Sequence, residues 1–294
     1  MSESIASLRH KIDSATELGT VVRTMKAMAA SSIGQYENAV RSQDDYYRTV
    51  QLGLAACFRQ NEPAHRESPI AQKETGPTGV IVFGSDQGLV GQFNDVMVDF
   101  VVKTLANLPG NTTVWAVGER LQSHLAETNL PAVESFVLPN SINAITPLVG
   151  QILIEMESQR EKGAISQVYL IHNRPQSGAV YSPVIQQLLP LDKLWQHNLT
   201  KLQWPTKNLP EVINNSEQTL RALIREYLFV TIFRACAESL ASENASRLAA
   251  MQRAEKNINE LKVDLTRTFH RLRQKEIDEE LFDVISGFEA RESS

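Results

Sequence analysis

Cysteine is scarce in this chain: Cys57 and Cys236 are the only two among 294 residues. Two thiols cannot build a disulfide framework or a four-cysteine metal site. One Cys57–Cys236 bridge would need the segments carrying them to meet in register, and two reduced thiols are the expectation. Aromatic residues are also few, 6% against 42% hydrophobic residues in all. That balance suits helices packed through Ala, Leu and Ile more than a compact globule. No apolar run approaches the length of a bilayer-spanning helix, and the opening MSESIASLRHKIDS has no apolar stretch of the secretory kind. An excess of positive charge is missing too. The net charge of -5 argues against a general nucleic-acid binder.

Proline and glycine are absent where helices need them to be. No proline precedes Pro63, and residues 211–286 contain neither residue type. Near the N-terminus Leu8, Ile12, Ala15, Val22, Met25, Ala29, Ile33, Tyr36 and Val40 recur at three- and four-residue steps, an apolar stripe at helical period. A helix from Ser4 to Arg59 would run for about 80 Å. Gly19, Gly34 and Gly53 each weaken it by roughly 1 kcal/mol relative to alanine, so one helix or two both remain open. A second stripe begins with Leu220, Ile224, Leu228, Ile232 and Ala235. It continues through Leu248, Met251, Ile258, Leu261, Leu265, Phe269, Leu272, Ile277, Leu281 and Val284. As one helix it would measure on the order of 115 Å, more than the chain's middle can cover. It is expected to lie on the N-terminal helix. Its spacing wavers between three and four, without a strict heptad.

The middle alternates strand and helix signals. Strands are expected at 79–83, 112–117, 133–138 and 165–172, with helices at 96–108, 119–127 and 142–160 between them. A further strand over 179–189 is expected at an edge, where Pro183 is tolerated. Pro190, Pro205 and Pro210 then mark a return loop. The expected organisation is an N-terminal coiled-coil helix (1–60), a linker (61–77), an α/β domain (78–210), a C-terminal coiled-coil helix (211–288) and a tail (289–294). The fold class is therefore mixed: a long antiparallel coiled coil of both ends around a central Rossmann-like α/β domain.

Chemistry-bearing motifs are incomplete. The loop Gly84-Ser-Asp-Gln-Gly-Leu-Val-Gly91 follows the first strand and precedes a helix, where a phosphate loop would sit. Its spacing is GxxxGxxG, not GxGxxG, and no Gly-Lys-Ser/Thr follows. A tight turn capped by Asp86 is the plainer expectation. His10, His65, His124, His172, His197 and His270 form no HExxH and no close His/Cys cluster, so no metal site is expected. Ser85, Ser177 and Ser182 have no base nearby in sequence and no GxSxG elbow. The carboxylates Glu276, Asp278, Glu279, Glu280 and Asp283 share one helical stretch, which reads as a solvated face or a charged contact face for a partner.

Several ordered blocks across the whole chain resemble one family, the gamma subunits of F-type ATP synthases. They are Leu8–Ile12, Thr24–Ser31, Gly84–Asn94, Gln187–Leu191, Leu240–Met251, Leu272–Ile277 and Glu280–Gly287. The resemblance implies a central rotor shaft: a coiled coil inside a ring of three alpha and three beta subunits, with the α/β domain against epsilon and the membrane ring of c subunits. It implies a non-catalytic role, no cofactor, and a peripheral position on the cytoplasmic side of a bacterial inner or a thylakoid membrane. It places Met25 near the acidic loop of beta, and Arg273 and Gln274 at a polar pair that catches beta. Asp278, Glu280 and Asp283 fall at a Thr/Glu/Glu set, and Lys26 stands where an acid is usual. The run Gln87-Gly-Leu-Val-Gly91 replaces Arg-Gly-Leu-Cys-Gly, and Gln252-Arg-Ala-Glu-Lys-Asn257 replaces Lys-Ala-Ala-Thr-Asp-Asn. These departures fit a divergent version, such as one encoded by a second operon. A coiled-coil adaptor with an α/β head, and a small nucleotide-dependent enzyme with helical arms, are the competing readings. The last requires a ligand at the Gly84–Gly91 loop.

Overall fold

The computed structural model describes residues 4–61, 76–108, 110–176, 179–208, 210–211 and 216–292. Most of the expected linker, together with His65, Ser177 and the last two residues, lies outside these. The chain forms two compact units, one of residues 1–29 with 248–294 and one of residues 30–247. Helices α1 (Ile5–Ser42) and α7 (Ser216–Glu292) contribute to both.

In the unit made of the two ends, α1 and α7 run antiparallel. Gly19 faces Ile258, whose Cγ2 would lie 3.5 Å from an added Cβ, and Lys26 meets Glu255 further along. Leu8, Ala15, Ala29 and Met251 are buried in the seam, while Ile12, Val22, Met25, Leu265, Phe269 and Leu272 are half-buried beside it. Ala15, Gly19 and Ala29 are small, which brings the two helix axes close.

In the other unit the N-terminal arm is interrupted after all, but not at a glycine. α1 ends at Ser42 and α2 (Asp44–Asn61) begins after a single intervening residue, Gln43. Ser42 Oγ turns back to Ala39 O, and Asp44 and Asp45 open the new helix where its dipole favours negative charge. Gly34 and Gly53 sit inside helices; Gly53 takes the side chain of Leu223 against it. α2 and α7 are again antiparallel: Asp44 meets Arg234, Tyr46 meets Glu226 and Gly53 meets Leu223. Thirteen residues of α2 therefore separate the levels of Cys57 and Cys236, roughly 20 Å. Both thiols are free and buried.

The sheet has five strands in the order β3-β2-β1-β4-β5. They are β1 (Thr78–Phe83), β2 (Thr112–Val117), β3 (Glu134–Phe136), β4 (Gln167–Gln176) and β5 (Ala179–Leu189). The first four are parallel and β5 is an antiparallel edge. β1 lies in the middle, and all six of its residues are buried, as expected of a strand covered on both faces. Its side chains divide by parity. Val80 and Val82 pack with α3 (Phe93–Leu105) and α4 (Glu119–Ala126). Ile81 and Phe83 join α5 (Ile145–Glu161), α2 and α7 on the other face. One element was not expected. The return loop contains α6 (Lys193–Thr200), capped by the Asp192 carboxylate on Leu194 N. Trp195 of α6 lies with its ring centroid 4.6 Å from that of Tyr227.

Candidate functional site

In a sheet of this order a ligand crevice forms outside the carboxyl ends of the strands, where the order reverses. Here that is between β1 and β4. The Gly84–Gly91 loop leaves β1 at this place, and its Ser85 and Asp86 side chains are bonded within the chain. Ser85 N donates to Asn94 Oδ1, and Asn94 Nδ2 donates to Ser85 Oγ. Asp86 is a cap, though not of its own turn. Its two carboxylate oxygens accept from Glu119 N at 2.9 Å and Leu138 N at 3.1 Å, so it closes the N-terminus of α4 and the exit of β3. The loops need glycine where they cross. A Cβ at Gly84 would lie 2.3 Å from Leu121 Cβ, and one at Gly118, whose φ is +119°, would lie 2.8 Å from Ser85 O.

α7 bridges the crevice itself. Ser246 Oγ donates to Val90 O of the loop after β1 at 2.5 Å. Ser242 Oγ, one turn earlier, lies 3.1 Å from Asn173 O of β4. Glu243 and Arg247 pair at 2.6 Å alongside. Burial raises the Glu243 carboxyl above its ordinary value, and Arg247 only partly offsets that. A phosphate reading of the loop would need donors facing an open crevice. Instead, the chain's own helix is hydrogen-bonded to both sides.

Next to these serines lies a charge cluster that the sequence did not single out. Glu238 of α7 is 8% exposed and accepts from three residues. His172 Nε2 lies 2.9 Å away, Arg174 Nε 2.7 Å, and Arg234 Nε 2.9 Å. Arg234 also reaches Asp44 of α2 at 3.0 Å. Burial alone would raise the Glu238 carboxyl; the hydrogen bonds from His172, Arg174 and Arg234 overcome it and hold the group down at about 2. Burial lowers His172 despite its bond to Glu238. An ionised carboxylate only accepts, so the neutral imidazole carries its proton on Nε2. A cavity of about 260 Å³ adjoins the cluster, with Tyr47, Gln186 and Thr231 on its wall. The signal for this site was β4 ending in His-Asn-Arg opposite a helix carrying Arg and Glu four residues apart, which only the tertiary pairing joins.

The residues singled out by resemblance belong to the unit made of the chain ends. Met25 is half-buried. Lys26 is committed within the chain, its Nζ 2.5 Å from Glu255. Lys26 thus finds its counter-charge in an acid on α7. Arg273, Gln274, Asp278, Glu280 and Asp283 are all exposed. Carrying the Gly19–Ile258 and Lys26–Glu255 register down the pair sets Ile5 opposite residues 272–276, so α1 runs out there. Beyond that point the large apolar residues are uncovered as well: Ile277 is 53% exposed, Leu281 56% and Phe282 71%. Among the described residues no group of His, Cys, Asp and Glu could hold a metal ion, and no helix is long and apolar enough to cross a membrane.

A Rossmann-type sheet whose crevice is spanned by its own long helix, with that helix paired to the other chain end, has the build of a part in a larger assembly. The sequence model of the ATP synthase family matches residues 4–290, and the chain belongs to that family. The chain is similar to the ATP synthase gamma chain of Polynucleobacter necessarius, 25% identical, covering 97% of this chain and 98% of that one. It is equally similar to that of Brevibacillus brevis, 25% identical over 99% and 100%. Its fold is similar to a chain in the rotor of the Euglena gracilis mitochondrial ATP synthase, with a TM-score of 0.64, 14% identity and coverage of 93% and 98%. Its role is that of a central-stalk subunit of a rotary ATP synthase, and a non-catalytic one.

Proposed function

We propose that the chain is the axle of an F1 motor. Its paired ends sit within a ring of three alpha and three beta subunits, and its α/β unit meets epsilon and the ring of c subunits. The complex lies on the cytoplasmic face of a bacterial inner or a thylakoid membrane. This subunit is peripheral and carries no cofactor. Nucleotide chemistry belongs to the ring. An asymmetric axle touches each of three equivalent sites differently, so each angle favours a different open or closed state through differential contact. Met25, Lys26, Arg273, Gln274, Asp278, Glu280 and Asp283 are the contact residues of this reading. The Arg273 guanidinium is suited to a reversible, charge-assisted catch on a carboxylate.

The observation that carries the reading is the end of α7. From Arg273 to Ile285 every residue is exposed, apolar ones included. Contiguous uncovered apolar surface marks an interaction site. Co-expression with alpha and beta subunits, followed by purification through this chain, tests it. Recovery of a ring with ATPase activity is expected; recovery of this chain alone would contradict it.

A further inference from the structure

An axle turns only if the part that receives the torque and the helix that carries it cannot slip past each other. α7 is one unbroken helix from Ser216 to Glu292, and its segment up to Arg247 lies in the same unit as the sheet. Most of what joins them is apolar: Leu228, Ile232, Phe233, Ala237 and Leu240 share one core with the sheet residues Leu170 and Leu188. Apolar burial is strong but non-directional, so it resists separation far better than a small rotation of a helix about its own axis. Directional bonds resist rotation, and they concentrate at one place.

We propose that the Glu238 cluster is the torque joint between the α/β unit and the shaft helix. This rests on the axle reading above. Both carboxylate oxygens are engaged: Oε2 by His172 and Arg174 of β4, and Oε1 by Arg234, which is tied in turn to Asp44 of α2. Strand, shaft helix and partner helix are thus pinned through one carboxylate. A glutamine cannot replace it without cost, because its amide nitrogen would face donors that it cannot accept from. Ser246, eight residues further along α7, adds a hydrogen bond to Val90 O, and Ser242 shares its one hydroxyl proton between Glu238 O of its own helix at 2.8 Å and Asn173 O at 3.1 Å. They hold the same helix to the carboxyl ends of β4 and β1. In this proposal His172, Arg174, Arg234 and Glu238 are positioning residues.

Rotation of the assembled complex, driven by ATP and followed by a bead fixed to the α/β unit, tests the joint. Removing the shared carboxylate unties His172 and Arg174 of β4 from α7, while Arg234 keeps only Asp44 of α2, and Glu238→Ala is expected to broaden the angular spread at each dwell roughly twofold while ATP hydrolysis by the ring persists. Arg234→Met keeps the side-chain stem and is expected to give a smaller broadening. Val149→Ala, a core truncation on α5 away from the cluster, is expected to lower stability and leave the spread at the wild-type width. An unchanged spread in Glu238→Ala, or equal broadening in Val149→Ala, would overturn the joint. A wild-type chain that fails to turn the bead would overturn the axle reading instead.

Discussion

Residues 227–246 and 273–285 belong to the same helix, yet their surroundings are opposite. In the first stretch sixteen of twenty residues are buried, and Phe229, Arg234, Asn244 and Ala245 are half-buried. In the second every residue is exposed. Neither contains glycine or proline, and the first stretch is helical although it holds more β-branched, aromatic and serine residues, so intrinsic propensity does not account for the contrast. What differs is side-chain size and charge. Ala235, Cys236, Ala237, Ser239, Ala241, Ser242 and Ser246 let strand ends and helices crowd the first stretch on all sides. Seven charges, from Arg273 to Asp283, surround the apolar residues of the second. The first stretch is held on all sides by its own chain. The second is left uncovered by it, which the axle reading takes as a surface for partners.

Substitutions can break this contrast. The largest effect is expected at Glu238. Glu238→Ala leaves the buried His172 without its partner and takes from the partly exposed Arg174 and Arg234 one carboxylate each, Arg234 keeping Asp44; it is expected to cost about 3 kcal/mol of stability in chemical denaturation. The same residue sets an acid limit. Its folded pKa of about 2 lies below the ordinary value of 4.5, so its contribution is complete above 4.5 and is lost as pH falls toward 2. His172 acts in the same direction from higher pH. Its pKa is lowered in the fold, so the unfolded chain takes up that proton first. Glu243, raised by burial, acts the other way. Glu238→Gln is expected to flatten the pH dependence between 5 and 3; a slope as steep as the wild type's would show that other carboxylates dominate.

Ile232→Ala, fully buried on the anchored stretch, is expected to cost about 2–4 kcal/mol, read as a shift in denaturation midpoint at constant slope. Lys26→Met removes a half-exposed pair with Glu255 and is expected to cost about 1 kcal/mol or less. Faster hydrogen exchange confined to residues near 26 and 255 would report it. Phe282→Ser is the smallest in the isolated chain, under about 0.5 kcal/mol, while it weakens retention of the alpha/beta ring. A large stability loss from Phe282→Ser would mean that the exposed stretch is packed after all.

Much of this fold could be read in the sequence, because period and breakers carry it. Every position of the N-terminal stripe from Leu8 to Val40 is buried or half-buried, and β5 is the antiparallel edge that Pro183 suggested. The misses have local causes. α6 spans only eight residues, too few for a period to show between Pro190 and Pro205. The α1–α2 interruption follows from Ser42 and the Asp44-Asp45 pair, whereas Gly34 and Gly53, the weaker helix formers, pack inside helices. The C-terminal stripe was followed past residue 272 because hydrophobicity alone does not say where a partner helix ends. The Glu238 cluster was invisible because His172 and Arg174 come from a strand some sixty residues away, and a lone histidine offers no pattern by itself.

The central claim is that α7 anchors with one stretch and works with the other. A chain ending at Glu276, assembled with its ring, tests it most directly: torque measured by rotation, and hydrogen exchange measured over residues 78–247. The account predicts weakened torque with exchange in that region unchanged. Undiminished torque together with loss of protection over residues 78–247 would contradict it.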